Sequence, residues 1–391
     1  MIWMPGVYRN TIKDSAMKDS AMKNSMMKDS AIGNPGRTPA RRSCAVYAPH
    51  VIWASAVFLL FFFAFAANLH AAGKPVGKLE KAVGTVQVSQ AGQKKYKAAK
   101  EGMDLFAEDK VKTGKDGKAV VKLIDDSVLT LAEATTLKLD KMVVGDERKG
   151  GVHLLDGTVR AAVSAKGGLF KVETKNSIAG VKGTEFTAMT KGKASFYFQN
   201  EGAIEVTGAD ATVELQKDMM TENYQGRKPI EPIDIKDKPD LQMAMAKLLN
   251  LTTIEIPPSI KESELLEEIL VRWTINYAHY LADAGKFYEA ETLLNIAKEL
   301  TARDSVKSEI LMQVATIYSR FFKQPKEAFK YYDEIVKKFP KSLQYESALY
   351  NAALSLYEAG ENAKAEKYFN DYIKKFPEGR YRQGVDYYLK K

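Results

Sequence analysis

The chain is short of the side chains from which most catalytic and metal sites are built. Its 391 residues include one cysteine, Cys44. That excludes a disulfide framework, a cysteine-ligated zinc site and an iron–sulfur cluster. Of the four histidines, His50 and His70 flank an apolar N-terminal run, which leaves His153 and His279 for folded domains. Constellations that need a histidine and a partner lack material, so no catalytic residue, cofactor or metal site is expected. A concentrated charge is missing too. The formal net charge is +9, but residues 1–72 carry eight basic and three acidic groups, which leaves +4 for the remainder. That is solubility charge rather than a phosphate-binding field, and it argues against nucleic acid as a partner.

What is present suffices for two or three folded domains, with 45% apolar and 27% charged residues. Residues 1–50 are polar, basic and low in complexity, with a tandem DSAMK pentapeptide inside 14–31. Residues 51–67 read VIWASAVFLLFFFAFAA, preceded by Arg37, Arg41 and Arg42 and followed by small residues. Segment 51–72 therefore reads as a secretory signal, cut after Ala66, Ala71 or Ala72, or as a retained membrane anchor. Both readings export the rest of the chain to the periplasm or cell envelope. Cys44 precedes the run, so it is not a lipoprotein cysteine.

Residues 73–226 hold 19 of the 26 glycines and no tryptophan. Short alternating segments lie between the glycines, among them Val86-Gln87-Val88, Val128-Leu129-Thr130-Leu131 and Ala203-Ile204-Glu205-Val206. Ala194-Ser195-Phe196-Tyr197-Phe198 falls in the same series. Period-2 alternation at this spacing predicts an all-β domain, either a sandwich or a β-roll. Turns are expected at Lys115-Asp116-Gly117, Asp156-Gly157 and Asn200-Glu201-Gly202.

These residues resemble a known family. Gly84-Thr85-Val86, Asp109-Lys110-Val111-Lys112-Thr113-Gly114 and Leu155-Asp156-Gly157-Thr158-Val159 occur in the order of a FecR-type domain. The most distinctive stretch runs from Thr174-Lys175-Asn176-Ser177 through Gly180-Val181-Lys182-Gly183-Thr184-Glu185-Phe186. The resemblance spans about 79–217. It implies the periplasmic domain of iron-uptake sigma regulators, which also occurs in other exported bacterial proteins. The family pattern has glycine where this chain has Glu108 and Asp126, and often arginine where it has Lys182. Sigma regulators also carry a helical cytoplasmic domain before their span, and 1–50 contains no amphipathic helix of that size. Gly180, Lys182, Gly183 and Thr184 are the candidate ligand-holding turn, whose amides would take a small ligand or cell-wall polymer. The competing role is a tight turn into a core strand, with Phe186 inside. His153 reads as a scaffold residue.

Residues 227–260 hold five of the 13 prolines and alternate in charge, so an extended, solvated linker is expected. The apolar stretch 241–249 within it would dock as one helix. From 261 to 391 the period becomes 3.6 and only four glycines occur. Ser259 with Glu262 reads as a capping box, and Asp304, Pro325, Ser342 and Asn362 as helix starts. Ala328, Tyr332, Phe339 and Pro340 recur 37 residues on as Ala365, Phe369, Phe376 and Pro377. Units at about 270–303, 306–340 and 344–377, with a closing helix, resemble the tetratricopeptide repeat, most closely the version in Gram-negative envelope-assembly proteins. Small alanines at 278, 290, 315, 328, 353 and 365 would let helices approach. Tyr331, Tyr368, Lys337 and Lys374 are candidates for an aromatic groove with a basic rim.

The chain therefore reads as multidomain, all-β then all-α. Its expected function is that of a non-enzymatic envelope scaffold whose helical repeats take another envelope protein or peptide. The alternative is a FecR-like transmembrane transducer regulating a sigma factor. Membrane contact would come only through an uncleaved N-terminal segment.

Overall fold

The computed structural model describes residues 73–142, 150–165, 168–256 and 260–390. The pentapeptide repeat, the 51–72 address and Ser259 of the expected capping box lie outside the described residues. Residues 69–391 form one compact unit. Among the described residues no helix is long and apolar enough to cross a membrane.

Two β-sheets carry the first half. One runs in the order β4 (Asp104–Leu105), β1 (Gly77–Val83), β6 (Lys118–Leu123), β7 (Val128–Leu131), β9 (Gly150–Ala162), β12 (Glu185–Lys191), β13 (Ala194–Glu201), β16 (Met219–Tyr224) and β17 (Ile233–Asp234). The other runs β3 (Lys97–Ala98), β2 (Val86–Ser89), β5 (Lys110–Thr113), β8 (Thr136–Leu139), β9, β10 (Phe170–Glu173), β11 (Ile178–Val181), β14 (Ile204–Gly208) and β15 (Ala211–Leu215). All these pairings are antiparallel except β9 with β10. The alternating side chains of both sheets meet in one apolar core, which includes Leu79, Val111, Leu129, Leu154, Phe186, Tyr197 and Val206.

β9 belongs to both sheets, and Asp156-Gly157 is its corner rather than the turn expected there. Gly157 has φ 93°, and a Cβ on it would fall 2.5 Å from Thr135 Oγ1 and 2.6 Å from Thr135 Cα. Only glycine bends the strand there while passing so close to a neighbouring backbone. The Asp116-Gly117 and Glu201-Gly202 turns fall where expected. At Glu108 and Asp126, where the resembling family has glycine, φ is 70° and 66°. The chain thus keeps a left-handed backbone under side chains that disfavour it. Glu108→Gly and Asp126→Gly should each stabilise the protein, by about 0.5–1 kcal/mol in urea unfolding; a loss from both would contradict the strain. Their ion pairs, to Lys138 at 3.2 Å and Lys122 at 4.0 Å, are half-exposed and offset little of this.

The second half is helical: α1 (Pro239–Leu251), α2 (Ile260–Asp283), α3 (Phe287–Leu300), α4 (Asp304–Thr316), α5 (Pro325–Lys338), α6 (Tyr345–Glu358), α7 (Asn362–Lys375) and α8 (Arg382–Leu389). A π-helical turn, Ile317–Phe321, extends α4. The starts at Asp304, Pro325 and Asn362 agree with the sequence reading. α6 begins three residues later than Ser342, because Ser342 sits in a turn bonded to Phe339. The pairs α2–α3, α4–α5 and α6–α7 are the expected hairpins, and α8 closes the last one through Val385. All six alanines expected at helix crossings are buried.

The 227–260 segment is not a solvated linker. Ile230, Ile233 and Ile235 are buried, as are Leu241, Ala244, Leu248 and Leu251 on one face of α1. They share a single apolar core with Met189, Phe196, Phe198 and Met220 from the sheet and with Leu266, Leu270, Leu293 and Leu294 from α2 and α3. Around β12, β13 and β16 the first sheet is therefore covered on both faces, by the second sheet on one side and by helices on the other. Burial of these isoleucines outweighs the extended preference of the prolines, each hydrophobic side chain contributing about 1.5–3 kcal/mol.

Candidate functional site

The Thr174–Ser177 stretch is a turn in which Asn176 and Ser177 are buried. The Thr174 hydroxyl accepts from the amides of Asn176 (3.1 Å) and Ser177 (3.0 Å). Asn176 Nδ2 donates to Thr190 Oγ1 (3.2 Å) and Ser195 Oγ (2.8 Å), and Ser177 Oγ meets the Tyr197 hydroxyl at 2.9 Å. The motif thus hydrogen-bonds the end of β10 onto β12 and β13. Gly180 lies within β11, where a Cβ would meet the Leu169 side chain at 3.4 Å, while a Cβ on Gly183, at φ 65°, would fall 2.8 Å from Ala165 Cβ. Lys182 is exposed and Thr184 is buried. Thr184 and Phe186 face inward, as a turn feeding a core strand requires.

His153 is held between two carboxylates, Nε2 at 2.8 Å from Asp140 and Nδ1 at 3.4 Å from Glu173. Burial raises the Asp140 pKa, against the opposing fields of His153 and Lys138. Among the described residues no group of three or more His, Cys, Asp or Glu could hold a metal.

In the helices, Asp333 brings two candidates together. It pairs with Lys337 at 2.6 Å and accepts the Tyr368 hydroxyl from the next hairpin. Burial and then Asp333 raise the Tyr368 pKa. Tyr368 also sets its edge on Phe329, with centroids 5.5 Å apart, and Tyr331 stacks on Tyr318 at 5.4 Å. Tyr368 therefore serves a contact between repeats, and Tyr331 one within its own hairpin. Lys337 and Lys374 lie in the last turns of α5 and α7, where cations suit the helix dipole. On the exposed side of the first helices, His279 of α2 meets Gln313 of α4 at 2.7 Å.

The polar groups missed from sequence lie at the seam between sheet and helices. Lys118 is 1% exposed, and its ammonium donates to the carbonyls of Asn250 (3.1 Å), Thr253 (2.9 Å) and Ile256 (2.7 Å). It caps the end of α1 from β6. Burial lowers its pKa, while Glu133 and Glu255 oppose the shift. Lys118→Met should cost about 3 kcal/mol, since three carbonyls lose charge-assisted donors. Urea unfolding would measure it, and a change under 1 kcal/mol, by the same principle about one ordinary bond, would refute the capping role. Glu133 accepts from Ser263, and Lys191 bonds Glu267 and the Leu300 carbonyl (3.2 Å). Arg227 Nη2 reaches Glu291 at 2.9 Å, and Glu291 also accepts from Tyr318 (3.0 Å) and Asn295 (3.2 Å). Glu222, fully buried on β16, has the Thr274 hydroxyl 3.1 Å from both carboxyl oxygens. Desolvation pushes its pKa up to about 8, against the Thr274 bond.

Residues 109–205 match the family described as FecR protein, and 309–342 and 347–379 match the tetratricopeptide repeat family. The chain thus carries a FecR domain followed by tetratricopeptide repeats. The expected unit at 270–303 corresponds to the α2–α3 hairpin and lies outside the matched residues. Two crystal structures of a candidate anti-sigma factor from Parabacteroides distasonis ATCC 8503, at 2.50 and 1.65 Å, are 16% identical to the chain. They align over 35% of this chain with TM-scores of 0.30 and 0.29. The chain spans 63% and 64% of the length of those structures. No curated protein sequence matches it.

Proposed function

We propose that this chain is a non-enzymatic binding scaffold of the cell envelope. The FecR domain and the helical repeats would each present one surface to a protein or peptide partner. The observation that carries the reading is the shared core and the polar seam, which join two binding-type modules into one body. Lys118, Arg227, Glu291 and Lys191 are occupied in holding that body together. The repeats offer partners the exposed side of their first helices, where His279 and Gln313 lie. The FecR domain offers the outer sheet face around Gly180, Lys182 and exposed Leu169.

The test is site-specific photo-crosslinking in cells from positions 313 and 182 of the full chain. Discrete protein adducts at either position support the scaffold. No adduct at both, or a turnover that survives purification, overturns it. The FecR match also fits a transmembrane regulator of a sigma factor. Mass spectrometry of the mature N-terminus separates the two, since a start beyond residue 66 removes any cytoplasmic part.

A further inference from the structure

The three hairpins make the same turn with different residues. The first turns through Asp283-Ala284-Gly285 and the third through Glu358-Ala359-Gly360, with glycine φ of 77° and 78°. The second uses Phe321-Phe322-Lys323, and Lys323 takes φ 53° where glycine stands in the other two. A π-helical turn leads into it. Phe321 stacks on Phe287 at 4.0 Å between centroids, and Phe322 stacks on Tyr288 at 4.5 Å. The cluster stays open to solvent, with Tyr288 62% and Phe321 48% exposed. The fold does not demand this arrangement, because its sister turns form with an acid and an alanine.

The exposed charges that flank the rings in sequence are mostly basic, with Asp283 the exposed acid of the neighbouring turn. Arg320, Lys323 and Lys326 are exposed with no acid between them, and exposed Lys286 precedes Phe287. The adjacent acids Glu289 and Glu327 are ion-paired with Lys228 (3.4 Å) and Lys330 (2.6 Å). Open aromatic carbon flanked by exposed cations matches an anionic lipid surface: the rings enter the acyl boundary and the cations meet headgroup phosphates. The chain outside the described residues fits this occupant. The apolar run at 51–67 ends nine residues before β1. In a chain retained in a bilayer by that run, nine residues hold the start of β1 within about 30 Å of the headgroups. We propose that the Phe321-Phe322-Lys323 turn, with Phe287 and Tyr288, is a peripheral docking site for an anionic membrane surface.

The test uses the 69–391 body, which is one compact unit with its own cores, so the N-terminal segment does not enter. It is sedimented with vesicles of equal phosphatidylglycerol and phosphatidylethanolamine, and with phosphatidylcholine alone. Binding to the anionic vesicles that falls with added salt is expected. Replacing the turn with that of the first hairpin (Phe321→Asp, Phe322→Ala, Lys323→Gly) should lower partitioning about tenfold or more. Phe321→Asp alone, checked by thermal unfolding, guards against a folding defect and should lose most of the same binding. No anionic-vesicle binding by the parent, or equal binding by both variants, overturns the proposal. So does a turn that fails to bind vesicles yet captures an acidic protein. Because the body lacks residues 51–67, failure here leaves the scaffold reading to its own crosslinking test.

Discussion

Glu222→Gln should flatten the pH dependence of stability between about pH 4.5 and 8. In the folded protein the carboxyl stays neutral up to about 8, whereas unfolded it ionises near the ordinary glutamate value of 4.5. Across that window the folded state holds one more proton than the unfolded state. Stability therefore falls as pH rises, by about 1.4 kcal/mol per unit, and levels off above the folded pKa. The whole contribution is on the order of 5 kcal/mol. The geometry agrees with a neutral group. One hydroxyl, Thr274, lies equally near both carboxyl oxygens and has a single proton to give, so the acid returns the second bond with its own. Glutamine keeps the shape and removes the titration. Its extra amide proton imposes a pH-independent cost of about 1–3 kcal/mol, so the slope and not the offset is the readout. Urea unfolding of both proteins from pH 4.5 to 9 measures it. Parallel curves would mean that Glu222 ionises inside the fold without penalty.

Much of the architecture was legible because it follows from local patterning. Turn glycines with alternating strands marked the FecR domain, and the 37-residue recurrence of alanine and aromatic positions marked the hairpins. What could not be read was the third layer. Phe196, Tyr197 and Phe198 stand consecutively on β13, and that run carried the available hint. A strand with one wet face alternates, while one covered on both faces does not. Counting it among the alternating strands hid the face that receives the helices, and the prolines of 227–260 then suggested a free linker. Asp156-Gly157 failed for another reason: a sheet-switching corner and a hairpin turn use the same glycine, and only the pairing of β9 separates them. Of the candidate site residues, Tyr331 and Tyr368 were legible as packing groups, while Gly183 and Thr184 read equally well as a turn or a cradle. Lys118, Glu222, Arg227 and Glu291 were invisible because the bonds that tie sheet to helices join residues 52 to 138 apart in sequence.

Arg227→Ala should weaken the join between sheet and helices more than its surface position suggests. Arg227 is 39% exposed, but Glu291 is only 3% exposed, so the loss falls on a carboxylate that water reaches poorly. Tyr318 and Asn295 remain as neutral donors and do not balance the charge. Leaving a buried charge unpaired costs about 3–5 kcal/mol, and the open side of this pair places the expected loss near the lower end. The effect should be local before it is global. Glu291 joins the turn after β16 to α3 and to the π-turn, so amide exchange should accelerate first in those segments. Adding Glu291→Gln to the arginine variant removes the stranded charge and should recover most of the loss. A double variant as unstable as Arg227→Ala alone would assign the cost to lost packing of the arginine stem instead. Recovery would make the pair a device that fixes how the repeats sit on the FecR domain. The apolar core supplies most of the adhesion there, and the ion pair sets the register.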